Sequence, residues 1–204
     1  MLQDNEPSMN VRYTLSVVAF AGMVVGCSSG VQVMEPQYQV ERSSGAIRQL
    51  EAFVEEHPND PVSRYALADS LYRKYSADHD KGIPDPHDLH LSLVHFTKAI
   101  ELNASYAEAY SQRGVVRLVL GDNVGSKQDF DRAIELKPQY DRAYFNRASW
   151  FEQHRRYADA IGDYERYIVL SNDPNWIGTA RQRVSDLKVK QRIQSLTNST
   201  ELVM

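Results

Sequence analysis

Cysteine is almost absent from this chain of 204 residues, which contains a single one, Cys27. One cysteine excludes an internal disulfide framework and a metal centre built from several thiolates. Positive charge is scarce as well, because 23 lysines and arginines face 27 aspartates and glutamates and the net charge is −4. Without an excess of basic residues the chain has no general means of holding nucleic acid, and we expect no nucleic-acid partner.

Familiar catalytic motifs are also missing. The sequence has no HExxH zinc-binding pair, no GxSxG nucleophile turn, no Walker A loop and no Rossmann glycine pattern. Hydrophobic residues make up 42% of the chain, which is enough to build a packed core. We therefore predict a folded protein that is not an enzyme and needs no cofactor.

The marked apolar run near the N-terminus is short. It covers residues 14–25, TLSVVAFAGMVV, and contains no charge. Twelve residues of helix reach about 18 Å at about 1.5 Å per residue, too little for a hydrocarbon core of about 30 Å. Such a run is typical of the hydrophobic region of a signal peptide. Residues 1–8 lack the expected basic charge, whereas a start at Met9 would retain Arg12, so both starts stay open.

Cys27 follows this run directly. The sequence Val24-Val25-Gly26-Cys27 resembles the lipobox of bacterial lipoproteins. The resemblance implies that residues 1–26 are a lipoprotein signal peptide, and that cleavage leaves Cys27 carrying the acyl chains that hold the protein on a membrane. An ordinary signal peptide followed by a free cysteine is the alternative.

The residues after Cys27 suggest where the protein is held. By resemblance to proteobacterial lipoproteins, in which aspartate at the next position retains the protein at the inner membrane, Ser28 implies the outer membrane of a Gram-negative source. The protein would then lie on the periplasmic face. Residues 27–43 lack helical periodicity and contain Pro36 and several Ser and Gln, so we predict a flexible tether.

A 34-residue period runs through the rest of the chain. Aligning residues 106–136 with residues 140–170 gives eight identities in 31 positions, where average residue usage would give about two. The identical pairs are Tyr106/Tyr140, Ala109/Ala143, Tyr110/Tyr144, Arg113/Arg147, Asp129/Asp163, Arg132/Arg166, Ile134/Ile168 and Leu136/Leu170. This period is the length of a tetratricopeptide repeat (TPR), which consists of two antiparallel helices.

Residue types within the repeat fit that family. The unit 107–140 has an aromatic, a small, an aromatic, a small and a helix-ending residue at the TPR positions, namely Tyr110, Gly114, Phe130, Ala133 and Pro138. The next unit repeats the pattern with Tyr144, Ala148, Tyr157, Ala160 and Tyr164. It departs from the pattern at Tyr167, where a small residue is expected, and its closing Pro174 arrives late. The chain therefore resembles TPR proteins.

The resemblance implies an all-α fold, a TPR helix–turn–helix solenoid over residues 44–190. We expect about three repeats, an N-terminal half-repeat at 45–57 and a C-terminal capping helix at 174–190. Residues 76–88 exceed the usual turn within a repeat, so we predict an inserted loop there. Residues 191–204 are predicted to be a disordered tail.

Most of the histidines lie in the predicted insertion or shortly after it. Four of the six fall within seventeen residues: His79, His87, His90 and His95. A zinc pair at His87 and His90, or a calcium loop beginning Asp78-x-Asp80, would give a metal-dependent or hydrolytic activity centred on residues 76–95. The calcium pattern has Leu89 where a bidentate glutamate is needed. A solvated polar loop and a loop that contacts a partner are the other interpretations.

TPR proteins usually bind polypeptides in a concave groove lined by the first helix of each repeat. The resemblance assigns to this groove Glu108, Ser111, Gln112, Val115, Leu118, Val119, Arg142, Phe145, Asn146, Ser149, Glu152 and Gln153. We expect Phe145 to be exposed there. Arg142 and Asn146 resemble part of a carboxylate clamp for chaperone tails, although Ser111 and Val115 do not match its lysine and second asparagine.

The predicted function is therefore a lipid-anchored periplasmic scaffold or adaptor. It would bind protein partners through the groove and the membrane through its N-terminal lipid. By resemblance to other TPR lipoproteins, it would act in pilus or secretion-machine assembly or in peptidoglycan remodelling. The alternative for each groove residue is contact only with water or with the neighbouring repeat.

Overall fold

The computed structural model describes residues 44–82 and 85–201, and the regular structure within these ranges is entirely helical. Eight helices follow one another there: α1 (Ser44–Glu56), α2 (Pro61–Asp80), α3 (Pro86–Leu102), α4 (Ala107–Val119), α5 (Asn123–Leu136), α6 (Asp141–Gln153), α7 (Tyr157–Leu170) and α8 (Pro174–Glu201). The pairs α2/α3, α4/α5 and α6/α7 stack in order, with α1 before them and α8 after them. The predicted solenoid of three repeats, a half-repeat and a capping helix is confirmed. The predicted signal peptide, Cys27 and the tether lie outside the described residues.

Side-chain carboxylates fix where several helices begin. The Asp60 carboxylate accepts hydrogen bonds from the backbone N–H groups of Val62 (3.2 Å) and Ser63 (2.9 Å), and Pro61 is the first helical residue of α2. Asp85 caps α3 in the same way, accepting from the N–H of His87 at 2.9 Å. Each cap satisfies an N–H group that has no partner within its own helix, so the sequence specifies these starts locally.

The turns inside the helix pairs each need one residue with a positive φ. Gly121, between α4 and α5, has φ +85°, and Gly82, after α2, has φ +77°. Arg155 lies 34 residues after Gly121 and takes the same role with φ +56°. Glycine adopts this conformation without a Cβ clash, whereas Arg155 does so at some cost.

Small residues let the two helices of a pair approach closely. A Cβ added at Gly114 would lie 2.7 Å from Cε1 of Phe130 and 3.1 Å from the backbone oxygen of Ser126. In the first pair, the Ser92 hydroxyl donates a hydrogen bond to the backbone oxygen of Ala68 at 2.8 Å. Ala148, the small residue of the third pair, is fully buried as well. The register of small and aromatic residues deduced from the sequence is the register of the packed helices.

Tyr167 shows how the last repeat accommodates its departure from the pattern. The side chain is fully buried, and its ring lies 5.2 Å from the ring of Phe145 in an edge-on arrangement. Its hydroxyl accepts a hydrogen bond from Ser171 at 2.9 Å. Trp176 of α8 contacts Phe145 from another side at 5.1 Å. The capping helix therefore completes an aromatic cluster that includes the large residue.

Residues 76–88 are not an inserted loop, contrary to the prediction. Helix α2 continues to Asp80 and α3 begins at Pro86, so only residues 81–85 connect them. An ion pair between Lys74 and Asp88 joins the two extended ends. Pro86 starts a helix here instead of breaking one, because Asp85 supplies the cap. The extra residues lengthen the first helix pair.

The predicted disordered tail is likewise wrong for most of its length, because α8 runs to Glu201. No proline or glycine interrupts the chain after Gly178. Lys188 pairs with Glu165 of α7 at 3.1 Å and Lys190 pairs with Glu152 of α6 at 2.9 Å, which ties the helix to the last repeat. Within the described ranges, no helix combines the length and the apolar character required to cross a membrane.

The close contact at Gly114 predicts opposite effects for two glycine-to-alanine substitutions. Gly114→Ala should lower the free energy of unfolding by about 1–3 kcal/mol, because the new Cβ meets the Phe130 ring and a backbone oxygen. Gly162→Ala in α7 has nothing within 4 Å and should raise the free energy of unfolding by about 1 kcal/mol through helix propensity. Urea denaturation followed by circular dichroism measures both. Equal stability changes in the two variants would contradict the packing at Gly114.

Candidate functional site

The candidate site is the face formed by the first helix of each pair. Helix α4 contacts both α2 and α6, so these three helices lie side by side along the array. The predicted groove residues belong to α4 and α6. These residues can bind a partner only if their side chains stay accessible after the helices stack.

Most of the predicted groove residues are buried. Seven of the twelve are buried: Ser111, Gln112, Val115, Leu118, Phe145, Asn146 and Ser149. The prediction that Phe145 is exposed is wrong. Its ring packs edge-on against Tyr164 and Trp176 at 5.1 Å, because α7 and α8 both close over it. Phe145 is therefore part of the core shared by the last repeat and the capping helix.

The buried amides connect neighbouring repeats. Gln112 donates a hydrogen bond from Nε2 to Oδ1 of Asp69 at 3.2 Å, which joins α4 to α2. Asn146 donates from Nδ2 to the hydroxyl of Ser111 at 3.3 Å, which joins α6 to α4. Gln112 and Asn146 therefore contact the neighbouring repeat, which is the alternative stated above for the groove residues. Because Asn146 is buried in that contact, it does not face a ligand as a clamp residue would.

Glu108 and Arg142 remain partly exposed, and their charges are used differently. The Glu108 carboxylate pairs with the ammonium group of Lys137 at 2.5 Å. The Arg142 side chain contacts the hydroxyl of Tyr140. Among the described residues, no carboxylate forms an ion pair with the Arg142 guanidinium. Arg142 is therefore the cation of this face whose charge is free to meet an acidic group from outside.

Three tyrosines lie within electrostatic range of Arg142. Burial raises the pKa of Tyr65, Tyr140 and Tyr167, and the positive charge of Arg142 opposes the rise at each of them. The Tyr65 ring stacks on Tyr106 at 5.1 Å between ring centroids. A guanidinium beside neutral hydroxyl groups and aromatic rings suits a carboxylate on a polypeptide. The sequence alignment shows the Tyr106/Tyr140 identity. The repeat period alone does not indicate that tyrosines lie near Arg142.

Other repeated arginines hold the helices together. Arg147 donates to both carboxylate oxygens of Asp163 at 2.7 and 2.8 Å, and also to Asp131 at 2.8 Å. Arg113 forms the same two-pronged bond to Asp129 at 2.8 and 2.7 Å. Burial raises the pKa of Asp163, and the hydrogen bonds and charge of Arg147 oppose that rise. The identical Arg and Asp pairs in the repeat alignment are thus structural ion pairs.

The histidines of residues 76–95 do not form a common site. His95 lies beside Arg64, with 3.4 Å between Nδ1 and Nη1, and His79 packs near the Tyr75 ring at 6.1 Å. Within residues 44–82 and 85–201, no group of three or more histidine, cysteine, aspartate or glutamate side chains is placed to hold a metal ion. The described residues give the metal-dependent alternative no set of ligands.

Comparison with known proteins agrees with this geometry. Residues 112–175 match the family model described as tetratricopeptide repeat. The array has the fold of a TPR solenoid. The chain is similar to human Tetratricopeptide repeat protein 13, with 26% identity over 128 residues, which is 63% of this chain and 14% of that protein. It spans 6% to 14% of the length of the curated relatives it matches.

Two crystal structures have a similar fold. TTC0263, a thermophilic TPR protein of Thermus thermophilus, is 18% identical, with a TM-score of 0.58 over 72% of this chain and 73% of that one. MamA is 21% identical, with a TM-score of 0.51 over 78% of this chain and 90% of that one. At these identities the likeness concerns the fold of the TPR array alone.

The burial of Phe145 predicts a loss of stability on truncation. Phe145→Ala should lower the free energy of unfolding of the TPR array by about 3–5 kcal/mol, because it empties the centre of an aromatic cluster. Val169→Ala, at a position 73% exposed on α7, should change it by about 0.5 kcal/mol or less. Chemical denaturation of both variants measures the difference. A Phe145→Ala variant as stable as the parent would place this residue on the surface after all.

Proposed function

We propose that this TPR array is a non-enzymatic scaffold that binds a protein partner along the face formed by α2, α4 and α6. The TPR fold is typical of protein-interaction scaffolds. The observation that carries the proposal is Arg142, a partly exposed cation on this face with no carboxylate in an ion pair among the described residues. Arginine and aromatic side chains contribute most strongly to protein interfaces, and Arg142 lies among tyrosines.

The partner would present an acidic group to this face. Two nearby anions are already engaged, since Glu108 pairs with Lys137 at 2.5 Å and Asp69 pairs with Arg73 at 2.8 Å. A carboxylate of the partner would meet Arg142 in surroundings less aqueous than an open surface, which strengthens the pairing. The extended ends of α2 and α3 offer a second contact area beside the face.

The membrane attachment belongs to the same proposal. Acyl chains on Cys27 would hold the protein at the periplasmic face of an outer membrane, with residues 27–43 between the anchor and α1. The support is the apolar run followed by Val24-Val25-Gly26-Cys27 and then Ser28. A scaffold held in this way would serve in assembly of a pilus or secretion machine, or in peptidoglycan remodelling. The outer-membrane assignment applies to a Gram-negative source.

The role of Arg142 can be tested with two matched arginine variants. Arg142→Gln should weaken partner binding by about 1–2 kcal/mol, because the charge that meets the acidic group is lost. Arg132→Gln removes an exposed arginine on α5 that pairs with Glu135 at 3.0 Å, away from this face, and should leave binding unchanged. Partners are captured from detergent-solubilised envelope, identified by mass spectrometry and then titrated individually. Equal affinities for the parent and Arg142→Gln would exclude this face as the binding site.

The anchor can be tested at the single cysteine. The native protein should partition into detergent and carry acyl mass on Cys27, whereas Cys27→Ser should yield an unprocessed or water-soluble species. Phase partitioning and intact mass measure both properties. A native protein that stays in the aqueous phase with an unmodified Cys27 would contradict lipidation, while leaving the groove proposal intact.

A further inference from the structure

A cation between two acidic side chains stabilises the last repeat. Arg147 of α6 lies between Asp131, on the preceding α5, and Asp163, on α7 of its own pair, at 2.7 to 2.8 Å. Asp131 precedes Arg147 by 16 residues, and Asp163 directly precedes the buried aromatic Tyr164. These two spacings identify the positions in other repeats that are equivalent to Asp131, Arg147 and Asp163.

The first helix pair has different residues at the three positions. Glu51 of α1 precedes Leu67 of α2 by the same 16 residues, so Leu67 occupies the place of the arginine. His95 directly precedes the buried aromatic Phe96 and occupies the place of Asp163. The acidic side chain on the preceding helix is retained, but the cation that would neutralise it is replaced by leucine.

The aromatic residue beside the arginine is also replaced. The Tyr144 ring lies against the Arg147 guanidinium, with 5.9 Å from the ring centroid to Cζ, and Tyr144 is three residues earlier in the chain. Arg64 stands three residues before Leu67. In the third pair a tyrosine and an arginine fill this space. The first pair has Arg64 at the position of the tyrosine and Leu67 at the position of the arginine.

A pocket of about 390 Å³ occupies this space. The exposed acidic residues Glu51 and Glu55 line it together with the buried apolar residues Val54 and Leu67. Arg64 lines it as well, yet within the described part of the chain it forms no ion pair with either glutamate. The pocket combines two carboxylates with an apolar wall that matches the methylene stem of a long cationic side chain.

Arg64 is held away from the glutamates by other bonds. Its Nε and Nη2 donate to the backbone oxygen of Pro58 at 3.4 and 3.2 Å, and Nη1 lies 3.4 Å from Nδ1 of His95. Burial and the charge of Arg64 lower the pKa of His95, so this imidazole is neutral near pH 7 and accepts from Arg64. The two glutamates remain available to a cation from outside.

We infer that this pocket binds the guanidinium of an arginine side chain from a partner polypeptide. The incoming guanidinium would pair with Glu51 and Glu55, and its stem would lie on Val54 and Leu67. Arginine is favoured over lysine because its planar group can donate to two carboxylates at once. That the arginine comes from a protein partner rests on the proposed function, but the pocket shares no residue with the groove at Arg142.

A small-molecule probe tests the pocket without knowledge of the partner. N-acetyl-arginine amide is titrated into the full chain while the methyl signals of Val54 and Leu67 are followed by NMR. N-acetyl-citrulline amide has nearly the same shape without the charge. We expect saturable shifts with the arginine probe and at least fivefold weaker binding of the citrulline probe.

Three variants locate the binding. Glu51→Gln combined with Glu55→Gln should weaken binding of the arginine probe at least fivefold. Glu56→Gln, on the same helix but outside the pocket, should leave it unchanged. Leu67→Arg should abolish binding of the arginine probe, because it places an internal guanidinium next to Glu51. If Leu67→Arg fails to fold, the glutamate variants decide the question.

Two results would overturn the inference: equal binding of the arginine and citrulline probes, or unchanged binding in the double glutamate variant. Arg142→Gln should retain full binding of the arginine probe. Loss of partner capture in Arg142→Gln with intact probe binding would support both sites separately. The two proposals are therefore tested independently: failure of binding at the groove does not contradict the pocket, and failure of the pocket to bind the probe does not contradict the groove.

Discussion

The close contact between the two helices of each pair is the constraint on which the other features depend. At Gly114 no side-chain atom separates the backbone of α4 from the Phe130 ring, and a Cβ would come within 2.7 Å of it. This approach brings the Arg113 guanidinium within reach of Asp129 on the facing helix. A wider pair would lose both the dense packing and the two-pronged ion pair. The same spacing then sets how one pair stacks on the next.

Stacking turns much of the inner face into core. The amide groups of Gln112 and Asn146 donate hydrogen bonds to the preceding repeat. Phe145 is covered by α7 and α8. In a linear array each repeat is stabilised mainly by its neighbours, so burial of polar residues between repeats is part of the stability of the array. What stays accessible is a small set of charged groups, of which Arg142 is the one without a carboxylate partner among the described residues.

The repeat period, the fold and the small and aromatic register followed from the sequence because each depends on residues within one repeat. The burial of Phe145 did not, since Trp176 of α8, a helix that belongs to no full repeat, covers the ring together with Tyr164 and Tyr167 of α7. Residues 76–88 are extra, as the sequence indicates, but most of them extend two helices instead of forming a loop, because Asp85 and Pro86 together begin α3. The pocket at Leu67 was not visible in the 34-residue period, because the added residues shift Leu67 out of alignment with Arg113 and Arg147, whereas His95 stays in alignment with Asp129 and Asp163.

The weak attachment of α1 has a mechanical consequence. This helix packs mainly on α2, through a small apolar cluster around Val54, Leu67 and Leu71, whereas the later repeats share one large core. Tension entering the array from its N-terminal side would load this junction before any other, and α1, which packs mainly on α2, would detach first. Detachment would carry Glu51 and Glu55 away from Leu67. Tension would therefore open the pocket, and a ligand bound to residues of both helices would hold α1 on α2.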